Sequence, residues 1–556
     1  MPTLNWIGKD KVISHHQDVP YRVLEHKYGF TAENGDQEKP TESGNKIIHG
    51  DNLEALKSLL PEYEGKIKCI YIDPPYNTGN ENWVYNDNVN HPKIKKWLGE
   101  VVGKDGEDLT RHDKWLCMMY PRLKLLHKLL ADDGAIFISI DYNEQAYLKL
   151  VCDEIFGRHN FIFDFPRVTK KAGKSSDVFA FNNDNLLVIQ KSKNAIFFPF
   201  EHSDDGFKNK DEYFEKRGYF KLNQTLDYGS IQYSPSLDYE IEIENEIFRP
   251  GNATRNEMIE RQTRNPKSDF CWRWSKDLFE FGLKKGFIVI KKSKNGKRIY
   301  TKTYEKCTIG KTNGYSIVYK RRTKALSTLE FTENIYSNDN SRKELEGIFN
   351  KKVFEYSKPS ALVEKLVEFS TNKNSIILDS FAGSGTTAHA VLNLNKQDGG
   401  NRKFILIEME DYANDITAER VKRVAKGYGK DKKAVEGTGG AFDFYELGLP
   451  LFDNNQNLNE QVGIEKIREY IWFSETRTPF TAPIETTYFL GKKEDSVYYF
   501  IYEKDKLTTL DFDALQLIKT KGEQYVIYAD NCLLPKEFMA KNNIIFKKIP
   551  RDITRF

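Results

Sequence analysis

The tetrad Asp73-Pro74-Pro75-Tyr76 follows directly on the apolar run 67–72, IKCIYI, which reads as a buried strand ending at the prolines. In an open α/β sheet, ligands gather at the carboxyl ends of strands, which puts this tetrad at a site. Consecutive prolines fix φ and remove two amide hydrogens, leaving a stiff turn that presents carbonyls and one carboxylate. Such a turn accepts hydrogen bonds, and it suits a donor with two protons. The exocyclic amino group of a nucleobase is one. Its lone pair is delocalised into the ring until both protons are held out of plane, and Asp73 with the carbonyl of Pro74 can hold them there. Tyr76 would offer a face to a base taken out of a duplex, returning about 1–3 kcal/mol of the few lost in unstacking. The plain alternative is a proline turn beside a half-buried tyrosine.

A second cluster, Leu378-Asp379-Ser380-Phe381-Ala382-Gly383-Ser384-Gly385-Thr386-Thr387, joins a strand end, a glycine turn and a helix start. Gly383 and Gly385 let the backbone approach a ligand closely, and Thr386 or Thr387 can cap the helix. The turn lacks the third glycine of a dinucleotide fingerprint and the lysine of a phosphate-cradling loop, so a cofactor without phosphates fits better. Glu408 ends the next apolar run, 404–408, where an acid commonly holds ribose hydroxyls or is simply solvated.

The elements that must position these groups have α/β patterning. Residues 46–76 read as strand, helix and strand, with 52–60 amphipathic. A helix follows over 113–130, then a strand over 135–140 after Asp133-Gly134, and a helix over 143–156 that stops at Gly157. The pattern resumes with a helix at 359–370, a strand at 375–379, a helix at 386–394 and a strand at 404–408. Between them, 160–350 breaks into short aromatic and polar stretches. Within it, 284–324 holds fourteen Lys or Arg against one acid, Glu305, although the whole chain carries only +3. The sequence therefore predicts an α/β, Rossmann-like domain split around an insertion. Residues 1–159 carry the Pro-Pro turn, 160–350 form the insertion, 351–440 carry the glycine turn, and 441–556 form a small α+β unit with strands at 497–502 and 525–528.

Asp-Pro-Pro-Tyr before a large insert and Phe-Ala-Gly-Ser-Gly-Thr-Thr after it resemble the beta-group amino-methyltransferases, whose catalytic motif precedes the cofactor motif. The likeness extends to LNWIGKDKVISHHQDVPYRVL, HGDNLEALKSLLPEY, CIYIDPPYNTGNENWVYND, RHDKWLCMMYPRLKLL, KFILIEMEDYA and IIFKKIPRDITRF, which look like the modification subunit of type III restriction-modification systems. It covers both halves of the split domain and the carboxy terminus; the middle matches loosely. The resemblance implies a methyltransferase fold that uses S-adenosylmethionine, with the insertion as a DNA-recognition domain. It implies adenine N6 in flipped-out bases of double-stranded DNA as acceptor, a homodimer, and a helicase-nuclease restriction subunit as partner.

Carried over residue by residue, it makes Asp73, Pro74, Pro75 and Tyr76 catalytic or base-holding. Asp379, Phe381, Gly383, Gly385 and Thr386 form the cofactor turn, with Glu408 on ribose and Asp51 near the cofactor adenine. Asp51 also reads as the N-cap of the helix at 52–60. Lys358-Pro359 resembles the family's cofactor-side motif, or Pro359 simply initiates a helix. DNA contacts are expected from Lys291, Lys292, Lys294, Lys297 and Arg298. The reaction implied is a direct displacement that needs no metal.

Composition is consistent with this reading. No apolar run approaches the roughly 18 residues of a membrane span, the amino terminus lacks a signal-peptide core, and the six scattered cysteines show no zinc or disulfide spacing. A cytoplasmic protein is expected. Competing readings are a cytosine-N4 methyltransferase, a DNA-recognition subunit with a silent transferase domain, and a nicotinamide oxidoreductase. Asp in front of Pro-Pro-Tyr tilts the first toward adenine, intact motifs at both ends oppose the second, and the incomplete glycine fingerprint weakens the third.

Overall fold

A computed structural model describes residues 3–78, 111–171, 178–201, 206–227, 232–293, 296–312, 314–453, 455, 457–478, 480–483 and 488–554. The chain divides into two compact units, Met1–Phe198 with Ser327–Phe556, and Pro199–Leu326.

A ten-stranded sheet organises the larger unit. Its strands are β1 (Arg22–Thr31), β2 (Gly35–Gln37), β3 (Lys46–His49), β4 (Ile67–Ile72), β5 (Leu130–Ile140), β6 (Phe161–Val168), β7 (Asn183–Gln190), β8 (Ile376–Asp379), β9 (Lys403–Glu408) and β10 (Ala441–Pro450). They lie in the order β2-β1-β10-β3-β9-β8-β4-β5-β7-β6. From β10 to β5 all neighbours are parallel, and the sheet closes with antiparallel strands at both edges. Every residue of β4 is buried, as a strand covered on both faces requires.

Helices α1 (Asn52–Tyr63), α2 (Arg111–Leu129), α3 (Gln145–Cys152), α4 (Ser360–Ser370), α5 (Thr386–Asp398), α6 (Glu419–Lys426) and α7 (Ile464–Thr476) accompany the sheet. Trp115, Met119, Leu123 and Leu126 recur at helical spacing on α2 and are fully buried with Leu56 and Leu59 of α1 in one core. Each such side chain contributes about 1.5–3 kcal/mol by leaving water. No helix among the described residues is long and apolar enough to cross a membrane.

Two boundaries differ from the sequence reading. The separate compact unit is 199–326, narrower than the 160–350 insertion. Residues 161–190 supply β6 and β7, because Leu186 to Ile189 find their partners on β5 and β6 rather than in a new core. The carboxy-terminal stretch is also less separate than expected from 441 onward. β10 inserts between β1 and β3, and Tyr470, Ile471, Phe500 and Tyr528 join the same core as α1 and α2. The remainder builds a four-stranded sheet from Phe489–Lys493, Ser496–Phe500, Gln524–Ala529 and Ile544–Lys548.

The smaller unit has its own core. A three-stranded sheet of Phe220–Thr225, Gly296–Tyr304 and Ile288–Ser293 packs Ile299 and Ile288 with Trp272, Phe279 and Phe248.

Candidate active site

Strands β4 and β8 are parallel neighbours, with Ile377 beside Cys69 and Leu378 beside Ile70. The Pro-Pro turn and the glycine turn, some three hundred residues apart in sequence, therefore leave the carboxyl ends of two central strands side by side. On one side of β8 lies β9 and on the other β4, so the two turns flank the point where the strand order reverses and ligands bind.

The Pro-Pro turn is held from several directions. The Trp115 indole donates to the Pro75 carbonyl at 2.6 Å. Asn77 adopts a left-handed φ of 55°. Its amide donates to the Arg111 carbonyl at 3.0 Å and to Glu144 at 2.5 Å, and Glu144 also meets His112 Nδ1 at 2.6 Å. These contacts fix the backbone on either side of Tyr76, so the turn is preorganised.

Asp73 is buried, and Lys358 donates to its Oδ2 at 2.5 Å. The same ammonium lies 4.9 Å from the centre of the Tyr76 ring. The Tyr76 hydroxyl donates to Asp184 Oδ2 at 3.0 Å, and Asp184 is gripped by the buried Arg167 guanidinium, with Nε at 2.7 Å from Oδ1 and Nη2 on Oδ2. Burial, followed by the Asp184 and Asp73 carboxylates, pushes the Tyr76 phenol well above its usual range, so it stays a neutral donor. Tyr76, Arg167, Asp184, Asn338, Tyr356 and Lys358 line a cavity of about 400 Å³.

At the glycine turn both Asp379 oxygens serve the turn itself. Oδ1 accepts from the Phe381 amide at 3.0 Å and Oδ2 from the Thr387 hydroxyl at 2.6 Å. Gly383 and Gly385 have φ of 53° and 83°, and Gly385 forms the N-cap of α5. Thr386 and Thr387 therefore do not cap that helix. Thr386 instead donates to the Lys358 carbonyl at 3.1 Å and accepts from buried Arg420 at 2.8 Å. Arg420 also donates to Ser384 at 2.8 Å and to Glu344 at 3.2 Å, tying the glycine turn to the segment that carries Lys358.

Glu408 accepts from the Gly383 amide at 2.7 Å and from the Glu410 amide at 3.0 Å. Burial raises its carboxyl to about 8 and that of Asp379 to about 7. Asp51 caps α1, accepting from the amides of Leu53 at 2.9 Å and Glu54 at 3.2 Å, the simpler of its two readings. Pro359 is the N-cap of α4, in keeping with the plainer of the two readings of this dipeptide, while Lys358 reaches Asp73.

Asp73, Pro74, Pro75 and Tyr76 thus gather with Asp379, Phe381, Gly383, Gly385, Thr386 and Glu408 at the carboxyl ends of the central strands β4, β8 and β9. Asp184, Arg167 and Arg420 were not anticipated, and neither was the hydrogen bond that Trp115 makes. The first three come from distant segments without a motif, and a lone Asp or Arg in a strand or helix gives no spacing signal.

In the smaller unit, Lys291 and Lys292 are exposed and pair in register with Arg298 and Lys297. Lys297 forms an ion pair with Glu246, and Arg298 lies 2.5 Å from the buried Asp227, so Arg298 first serves this unit's own packing. Lys294 lies outside the described residues.

The family profile described as DNA methylase matches residues 67–419. Over 465 residues the chain is 31% identical to the Mod subunit of the type III restriction-modification enzyme EcoPI of Escherichia phage P1, covering 76% of this chain and 68% of that one. Over 478 residues it is 30% identical to the StyLTI Mod subunit of Salmonella typhimurium, covering 80% and 66%. The type II methyltransferase M.KpnI of Klebsiella pneumoniae is 30% identical over 402 residues, 68% of this chain and 84% of that one. The chain spans about two thirds of the length of the two type III subunits.

Proposed function

The chain belongs to the DNA methylase family and, within it, to the modification subunits of type III restriction-modification systems, and from that premise we propose that Asp73, Pro74 and Tyr76 hold an adenine while its N6 is methylated. The observation that carries this reading is the adjacency of β4 and β8, which sets the acceptor turn beside the glycine turn. The enzyme is a site-specific, S-adenosylmethionine-dependent DNA methyltransferase.

The residues at the glycine turn fit that cofactor chemically. Its described lining offers one cation, Lys358, which is engaged by Asp73, together with carboxyls at Asp73 and Asp379. A phosphate would be repelled there, whereas a sulfonium cation is not. Gly383 would bring backbone close to the nucleoside, and Glu408 would accept from ribose hydroxyls. The crevice, lined by Phe354 and Tyr356 among others, measures about 20 Å³, so its walls would have to open to admit a nucleoside. When bound, S-adenosylmethionine supplies an electrophilic methyl group.

On the acceptor side, a carboxylate offers several lone pairs, so Asp73 can accept a hydrogen bond from one amino N–H while Lys358 neutralises its charge. The Pro74 carbonyl would accept a hydrogen bond from the other N–H, and the single proton that the nitrogen sheds once methylated would leave by way of Asp73 to solvent. Holding both protons pulls the nitrogen lone pair out of conjugation, so catalysis rests on positioning more than on proton transfer. Tyr76, fixed through Asp184, would stack on the extruded base.

The smaller unit, 199–326, is assigned to DNA recognition on its exposed lysines and its place between the two motifs. Assembly as a homodimer and association with a restriction subunit belong to the same reading. Incubating the protein with labelled cofactor and DNA, then separating nucleosides, tests it: N6-methyladenine supports it, and absence of labelled DNA overturns it.

A further inference from the structure

Helix α2 reaches both turns. Trp115, near its start, donates its indole N–H to the Pro75 carbonyl of the acceptor turn. Arg122 follows seven residues later, close to two full helical turns, and so lies on the same face about 10 Å along the axis. Its Nε donates to Asn52 Oδ1 at 2.6 Å and its Nη1 to the Met118 carbonyl at 2.7 Å. Asn52, the first residue of α1, donates in turn from Nδ2 to the Ser380 carbonyl at 3.1 Å. Arg122, Asn52 and Ser380 are all buried. A guanidinium carries donors only, so it draws the Asn52 oxygen toward itself and turns the amide nitrogen toward Ser380. The peptide between Ser380 and Phe381 is thereby gripped at both ends, its carbonyl by Asn52 and its amide by Asp379 Oδ1 at 3.0 Å. Asp379 and Phe381, which flank Ser380, line the crevice assigned to the cofactor.

We propose that Asn52 and Arg122 are positioning residues for S-adenosylmethionine, and that α2 sets the separation of methyl donor and acceptor by holding one carbonyl on each turn. The proposal rests on the reading of the two turns given above and extends it to residues that touch neither substrate. In a direct displacement the reacting atoms must lie about 3–3.5 Å apart and in line, and a misplacement of about 1 Å can cost a hundredfold in rate. Two turns held only by their own loops keep such a distance poorly, whereas two anchors on one buried helix keep it well. The pattern of contacts at Arg122 also favours positioning over stability. Asp51 Oδ2 stands off at 3.6 Å from Nη2, while the neutral Asn52 takes the short bond. Burying a guanidinium is costly, and a pair made for stability would set the carboxylate closest.

The test uses the full-length protein and four variants, Asn52→Asp, Asn52→Ala, Trp115→Phe and Leu123→Ala, the last a core truncation on α2 that removes no hydrogen bond. Asn52→Asp keeps an acceptor for Arg122 but loses the donor to Ser380. It should melt near the parent and yet bind S-adenosylmethionine about tenfold more weakly by calorimetry, with DNA affinity unchanged. Asn52→Ala should melt lower and lose the same factor in cofactor affinity. Trp115→Phe should keep cofactor affinity and slow single-turnover methyl transfer about tenfold or more. Leu123→Ala should melt well below the parent and, at a temperature where it is folded, bind the cofactor as the parent does. Cofactor affinity would then follow the Asn52 amide and not the melting temperature. Parent-like affinity in a folded Asn52 variant, or an equal loss in Leu123→Ala, would refute the positioning role and leave the methyltransferase reading intact. A parent that transfers no methyl group to any DNA would overturn both.

Discussion

Lys358 Nζ and Asp73 Oδ2 lie 2.5 Å apart although the two residues are separated by 285 positions, and their side chains are 7% and 10% exposed. The pair joins the strand end of the acceptor turn to the segment leading into α4. Replacing one member takes from the other, buried one its ion-pair partner, which costs up to about 3–5 kcal/mol, whereas replacing both removes the penalty. Lys358→Met should therefore lower the melting temperature sharply. Lys358→Met with Asp73→Asn should recover most of it while remaining inactive. A double variant that melts as low as Lys358→Met would show that the pair does not couple the two segments.

The glycine turn allows a second prediction. A Cβ at Gly385 would lie 2.9 Å from the Thr417 carbonyl oxygen, a backbone atom, at a φ of 83°. At Gly383 the nearest atom is 3.5 Å away, but φ is 53°. Gly385→Val should destabilise the fold and abolish cofactor binding. Gly383→Ala should melt closer to the parent, since strain of roughly 1–3 kcal/mol and not a clash opposes it, yet bind S-adenosylmethionine at least about tenfold more weakly. Calorimetric affinity equal to the parent at Gly383→Ala would place the cofactor elsewhere.

Much of this site was legible in the sequence because its chemistry sits at strand ends bordered by Pro and Gly, the residues that mark turns most plainly. Ile67–Ile72, followed by Asp73, and Ile376–Asp379, which ends in Asp, are short apolar runs, and both are strands. What could not be read was pairing at a distance. β1 gave no periodic signal, and it exists because β10, over four hundred residues later, lies antiparallel to it from Arg22–Pro450 to Thr31–Ala441. Asp184 carries no motif, and only the pairing of β6 with β7 sets Arg167 opposite it. The carried-over role of Asp379 shows a further limit. A residue can be tied to a ligand-binding motif because it builds the turn, and here both of its oxygens do so.

Stability should depend on pH through two buried acids. Burial raises Glu408 to about 8 and Asp379 to about 7, and Glu410 and Asp379 add like-charge repulsion at Glu408. In an unfolded chain both titrate near about 4. Between those limits the folded protein holds more protons than the unfolded one, so these groups make stability fall as pH rises from about 4 through about 8. Glu408→Gln removes one of the two titrations. Its melting temperature should fall less than the parent's between about pH 5 and about pH 9. Parallel curves would show that Glu408 titrates alike in both states.

Recognition is assigned to the unit spanning 199–326, so its exchange for the corresponding unit of a relative should change the methylated sequence without changing cofactor affinity. Neutralising Lys291 and Lys292 should weaken DNA binding and flatten its salt dependence, by up to about 0.9 in log–log slope for each phosphate that is no longer neutralised. Neutralising Arg298 should instead lower stability, because it leaves the buried Asp227 carboxylate with the Gly251 amide but without its cationic partner. A chimera that keeps the original methylation site, read by sequencing that detects N6-methyladenine, would move recognition elsewhere in the chain.

In the proposed mechanism the Asp73 turn holds an adenine amino group during methyl transfer. Single-turnover transfer of labelled methyl to DNA, measured for the parent and for Asp73→Asn with nucleoside analysis of the product, probes that step alone. Label is expected in N6-methyladenine for the parent, with a rate about 10²–10³-fold lower or undetectable for Asp73→Asn and with cofactor and DNA affinities retained. Label in N4-methylcytosine, or an Asp73→Asn rate equal to the parent's, would contradict it.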